Sequence, residues 1–101
     1  MKERFLFFED NCPYCDSYLK VVDDVNSKLE PDDKIILKNI SAFMILGMVD
    51  DPLIEKYNID FAPILVLDGK KIIGVASHSK IHSREWISGF LNEYFREEFV
   101  A

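Results

Sequence analysis

The two cysteines of this chain, Cys12 and Cys15, stand at the point where the pattern of the sequence changes. Before them runs an apolar, aromatic stretch, Phe5-Leu6-Phe7-Phe8, with the composition of a buried strand. After them, Tyr18, Val21, Val22, Val25 and Leu29 recur at the spacing of one helix face, with Lys20, Asp23, Asp24 and Lys28 directed largely outward. The segment Glu9-Asp10-Asn11-Cys12-Pro13-Tyr14-Cys15-Asp16 therefore reads as strand end, short turn and helix start. Pro13 suits the first helical position, because the N–H it lacks would be unpaired there anyway. A helix N-terminus presents unpaired backbone N–H groups and the positive end of a dipole, both of which stabilise a sulfur anion. This placement suits Cys12 as an attacking thiolate and Cys15, one turn along, as the thiol that closes a disulfide on it.

Two other uses of such a pair stand beside that one. Buried cysteines can act as small hydrophobes, and a CxxC can supply half of a zinc site. Structural zinc needs four ligands, and the two histidines, His78 and His82, have the spacing to complete a Cys2His2 set. A zinc finger has no need of an apolar strand leading in and a long α/β chain leading out, so redox chemistry is the better reading, with no metal expected.

At 101 residues the chain is expected to form one domain, residues 1–101, large enough to bury a core. With 49% apolar and 13% aromatic residues it does not need disulfide staples, and two cysteines are too few for a secreted disulfide scaffold. The apolar part of the N-terminal segment is short and followed by acids, unlike a signal peptide. The longest apolar run, Ala42 to Val49, falls short of a membrane span. A soluble, monomeric, cytoplasmic protein without a membrane partner is expected. A net charge of -6 with scattered Lys and Arg argues against a nucleic-acid partner and fits a solvated acidic surface.

In chain order, Arg4 to Glu9 reads as a first strand and the helix after Cys12 runs to the turn Glu30-Pro31-Asp32-Asp33. Lys34 to Ile40 fits a second strand, parallel to the first. Ser41 to Val49 reads as core-packing, either a buried helix start or a distorted strand extension. Asp51-Pro52 has the signature of an N-cap with proline at the first helical position, opening a short helix through Tyr57. Strands Ile64 to Leu67 and Lys71 to Val75, joined by Asp68-Gly69-Lys70, form an expected antiparallel hairpin. A last helix, from near Ser79 or Ser83, carries Ile87, Phe90, Leu91, Tyr94, Phe95 and Phe99 at core spacing, with Trp86 among them or at their edge. The order β-α-β-α-β-β-α predicts an α/β fold with a mixed four-stranded sheet flanked by helices.

This order, the tetrad Cys12-Pro13-Tyr14-Cys15 at a helix start and Ala62-Pro63 ahead of the hairpin together resemble the glutaredoxin branch of the thioredoxin-like superfamily. The run from Ile54 to Leu67 also resembles the corresponding part of thioredoxins. The likeness implies a thioredoxin-like fold and a thiol-disulfide oxidoreductase working by a dithiol mechanism, with Cys12 as nucleophile and Cys15 as resolving thiol. It implies a groove for disulfide substrates formed by Pro13, Tyr14, Ala62, Pro63 and Gly74, with a cis peptide after Ala62. It implies no tightly bound cofactor and glutathione as a possible co-substrate. Its partners would be a disulfide-bearing protein or small thiol, reduced in turn by glutathione or a thioredoxin-reductase-type enzyme. The alternatives within the likeness are a thioredoxin-like reductant of protein disulfides that does not use glutathione, and a module holding a [2Fe-2S] cluster with glutathione.

The sequence departs from the glutaredoxin pattern in three places. Glu9 stands where many of that family carry a lysine three residues before the first cysteine, Gly74-Val75 replaces a pair of glycines, and Ser77 or His78 falls where an acidic residue is expected. Each of these positions would touch glutathione. Glu9, Asp10 and Asp16 also oppose the helix terminus in its effect on the thiolate, and they disfavour an anionic thiol such as glutathione.

Overall fold

The computed structural model describes residues 3–42, 51–73 and 84–100. The segment predicted from Ser41 to Val49 lies, from residue 43 on, outside the described residues, as do Gly74, Val75, Ser77, His78, Ser79, His82 and Ser83.

Four strands form a mixed sheet: β1 (Arg4–Phe8), β2 (Ile36–Asn39), β3 (Ile64–Leu67) and β4 (Lys70–Ile73), in the order β2-β1-β3-β4. The β1 and β2 strands are parallel, Phe5 opposite Ile36 and Phe8 opposite Asn39. On its other side β1 pairs antiparallel with β3, Arg4 opposite Leu67 and Phe7 opposite Ile64. The hairpin β3–β4 turns on two residues, Asp68 and Gly69, both with positive φ (52° and 83°), the twist that a tight antiparallel turn requires. Lys70 is accordingly the first residue of β4 rather than part of the turn.

Three helices lie among the described residues: α1 (Pro13–Asn26), α2 (Pro52–Lys56) and α3 (Arg84–Tyr94). The first ends earlier than its apolar face suggests, and Pro31–Asp33 forms a short 3-10 turn. Asn26 fixes that junction, its side-chain amide donating to the Ile35 carbonyl at 2.9 Å and accepting the Ile35 N–H at 2.8 Å. Asp51 caps α2 by accepting the Leu53 N–H at 3.0 Å, as its position before Pro52 leads one to expect.

Side chains of the central strands alternate between two apolar layers, which is why these strands are apolar at every position from Phe5 to Phe7 and Ile64 to Leu67. Leu6, Leu65 and Leu67 face α1 and α3, packing with Tyr18, Val22, Val25, Ile87, Leu91 and Phe95. Phe5, Phe7, Ile64 and Val66 face the other way, against Ile40, Ile54 and Ile59. The edge strand β2 behaves differently: Ile36 and Leu37 are exposed.

Among the described residues one buried side chain is charged. Arg4, 1% exposed, opens β1 and lies in the α1–α3 layer with its guanidinium 4.7 Å from the centre of the Phe95 ring. It donates to both carboxylate oxygens of Asp68 (2.8 and 3.3 Å), to both of Glu98 (2.8 and 2.7 Å), and to the Asp33 carbonyl (2.8 Å). One cation thus joins β1, the hairpin turn, the 3-10 turn and the C-terminal segment, and the two carboxylates compensate the cost of taking it out of water. Tyr94, predicted as a core residue, is instead at the rim of this cluster and exposed, because its phenol donates to Asp68 at 2.7 Å. Partial desolvation of the phenol where it meets the cluster, and then that hydrogen bond, push its pKa up to about 12.

Candidate active site

The C-terminal end of β1 delivers the chain into a tight turn, with Asn11 at φ 57°, a left-handed conformation that asparagine adopts more readily than most residues. Cys12 is the N-cap of α1, in extended geometry, and Pro13 occupies the first helical position. An N-cap side chain ordinarily offers oxygen to the N–H two or three residues on. Here the acceptor is sulfur: the backbone N–H of Cys15 donates to Cys12 Sγ at 3.2 Å.

The two thiols are free and differ in exposure: Cys12 is half-buried and Cys15 fully buried. Burial raises the pKa of the Cys15 thiol well above the ordinary thiol value, its hydrogen bond with Cys12 and the charges of Cys12 and Glu9 raise it further, and a backbone hydrogen bond from Glu9 opposes the shift. Cys15 is therefore held protonated beneath an accessible sulfur. Tyr18, one turn deeper in α1, is likewise buried, and burial followed by the charge of Cys15 raises its pKa.

A surface cleft of about 580 Å³ opens beside Cys12, lined by Phe8, Glu9, Asp10, Asn11, Cys12, Pro13, Asp16 and Leu19. Its wall is braced from β2. The Asp10 N–H donates to Ser41 Oγ at 2.8 Å, Asn39 donates to the Asp10 carboxylate at 3.0 Å, and the Ser41 N–H returns to Asn39 Oδ1 at 2.9 Å. Neither Asn39 nor Ser41 stands out in the sequence, since a polar pair after a strand carries no local sign of a partner thirty residues earlier.

Among the residues expected to form a substrate groove, Pro13 lines the cleft, whereas Tyr14 is exposed and lies outside its lining. The Ala62-Pro63 peptide is cis, Pro63 is buried and Ala62 packs on the layer around Phe7. Because Ile64 stands opposite Phe7 in an antiparallel pair, Pro63 comes to the same end of the sheet as Phe8 and the cysteine turn. Gly74 lies outside the described residues, so only four of the five expected groove residues can be placed. Among the described residues no group of three or more His, Cys, Asp or Glu side chains is arranged to hold a metal ion. No described helix is long and apolar enough to cross a membrane.

The chain matches no protein-family model and no curated protein.

Proposed function

We propose that this chain is a thiol-disulfide oxidoreductase of glutaredoxin-like, CPYC dithiol type, with Cys12 as the attacking thiol and Cys15 as the resolving one. A single observation carries the proposal: an accessible Cys12 sulfur at a helix N-cap, accepting the N–H of a buried Cys15 whose own thiol is held protonated. The strand order β2-β1-β3-β4, with one parallel pair, a C-terminal hairpin and the cysteine turn at the carboxyl end of central β1, supports a thioredoxin-like topology. The cis Ala62-Pro63 peptide at the same end of the sheet supports a backbone-docking role for Ala62 and Pro63.

The chemistry follows from sulfur. Cys12 thiolate attacks one sulfur of a substrate disulfide, a new S–S bond forms, and the other substrate sulfur leaves as a thiolate that takes a proton. Cys15 then loses its proton and attacks Cys12 Sγ, releasing the second substrate thiol and leaving a Cys12–Cys15 disulfide. The substrate has gained two electrons and the protein has lost two, so a further pair of thiols, from glutathione or a reductase, completes the cycle. The shielding of Cys15 fits this order, because a buried, protonated thiol does not compete for the incoming disulfide and reacts only with the sulfur directly above it. The setting proposed is a reducing cytoplasm, the partners disulfide-bearing proteins or small thiols.

A second reading, a reductant of protein disulfides that does not use glutathione, is favoured by the carboxylates of Glu9, Asp10 and Asp16 around the cleft. Turnover of a small mixed disulfide with glutathione as the only reductant, beside the same assay driven by a thioredoxin reductase, separates the two. Turnover in either assay that is lost in Cys12→Ser supports the oxidoreductase, and the assay in which it occurs names the donor. Turnover in neither, with no oxidation of the two thiols by any disulfide, contradicts it.

A further inference from the structure

Every charged side chain lining the cleft beside Cys12, among the described residues, is a carboxylate: Glu9, Asp10 and Asp16. The nearest ammonium on α1, Lys20, meets Asp16 at 3.2 Å on the exposed face of the helix and is not part of the lining. Asp10 is held by the amide of Asn39, a neutral donor that fixes the carboxylate without cancelling its charge. Glu9 leaves β1 directly into the turn, half-buried, and its charge reaches the thiol pair. A disulfide arriving at Cys12 must enter this field.

The field acts on both halves of the reaction. Docking a cation among carboxylates is favourable and docking an anion is opposed, to an extent that salt reduces. When Cys12 attacks, one substrate sulfur departs with the electron pair of the broken S–S bond, and a neighbouring Lys or Arg lowers the pKa of that sulfur and speeds its departure. The same substrate cation therefore serves docking and departure. We propose, resting on the oxidoreductase reading, that the substrates are polypeptide disulfides flanked by Lys or Arg, and that Glu9, Asp10 and Asp16 are the residues that select them. Glutathione disulfide, with its carboxylates, is a poor substrate of this cleft.

The test uses the full chain carrying Cys15→Ser, so that reaction stops at the mixed disulfide. Two peptide disulfides, identical except for lysines or glutamates flanking the cysteine, are offered beside a neutral small disulfide. Rates are divided by those of a neutral free thiol, which removes the intrinsic reactivity of each peptide. At low salt the basic peptide is expected to form the Cys12 adduct about tenfold faster than the acidic one on this corrected scale. Raising the ionic strength to about 1 M, where screening reaches about 3 Å, should close most of that gap, and Glu9→Lys should narrow it at low salt. Equal corrected rates at low salt, or a gap indifferent to both salt and Glu9→Lys, overturn the proposal. Should the neutral disulfide also give no adduct, the oxidoreductase reading itself fails and the substrate class falls with it.

Discussion

The backbone N–H of Cys15 points at the sulfur of Cys12 across 3.2 Å, so the residue that shields its own thiol in the core also supports the thiol above it. The position of Cys12 at the helix cap makes the two cysteines chemically unequal although only Pro13 and Tyr14 separate them.

That inequality predicts selective alkylation. At neutral pH a small electrophile should modify Cys12 and leave Cys15 untouched in the folded protein, with both modified once the chain is unfolded. Peptide mapping after brief exposure checks this, and comparable labelling of the two in the native state would contradict the burial and raised pKa of Cys15.

Arg4 is predicted to be a sensitive position, although a basic residue at a strand start is ordinarily a tolerant one. Arg4→Ala removes a cation buried to 1% exposure together with its hydrogen bonds to Asp68, Glu98 and the Asp33 carbonyl, at a cost of about 3 kcal/mol in urea unfolding. Arg4→Lys should recover little of it, because an ammonium cannot bond two carboxylates and a carbonyl in one plane while stacking on Phe95. A loss below about 0.5 kcal/mol in Arg4→Ala, the range of ordinary surface changes, would show the cluster to be incidental.

Asp51 gives a pH-dependent contribution whose sign is fixed. The Leu53 N–H, and then Lys38, hold its pKa below the ordinary 3.8, so the folded state binds the proton less readily than the unfolded one. Its stabilisation is complete above that ordinary value and is lost as pH falls through the folded pKa. Asp51→Ala should cost about 1 kcal/mol at pH 7, through the lost helix cap, and progressively less in strongly acid solution. Parallel urea titrations at the two extremes test it, and a constant difference would contradict the linkage.

Gly69 separates strain from crowding. Its φ is 83°, and a Cβ added there would meet nothing within 4 Å. Gly69→Ala should therefore cost about 1 kcal/mol from backbone conformation alone and leave thiol reactivity unchanged. A cost several times larger in urea unfolding would mean that the turn makes contacts beyond its own backbone.

Much of the architecture was legible because its determinants are local. The aromatic run before Cys12, the helical spacing from Tyr18 to Val25, the Asp51-Pro52 cap and the Asp68-Gly69 turn are each written within a few residues, and each appears in the structure as strand, helix, cap or turn. Arg4 was not legible, since a basic residue at a strand start reads as surface and its partners Asp68 and Glu98 stand 64 and 94 residues away. Tyr94 misled for the opposite reason: helical spacing marks a face, but not which residue at the rim finds a polar partner. The exposure of Ile36 and Leu37 follows from the edge position of β2, which only the pairing order reveals. At the site, the cysteine turn was readable and its bracing by Asn39 and Ser41 was not, because that brace ties Asp10 to residues 29 and 31 positions further along the chain.

In the proposed mechanism Cys12 attacks and Cys15 resolves. The most direct measurement is intact-mass analysis, with peptide mapping, of wild type, Cys12→Ser and Cys15→Ser after brief mixing with a neutral small disulfide. The expected result is a stable adduct on Cys12 in Cys15→Ser, none in Cys12→Ser, and in wild type a Cys12–Cys15 disulfide without accumulated adduct. An adduct on Cys15 forming as fast in Cys12→Ser as on Cys12 in Cys15→Ser, or a wild-type chain that stays fully reduced, would contradict it.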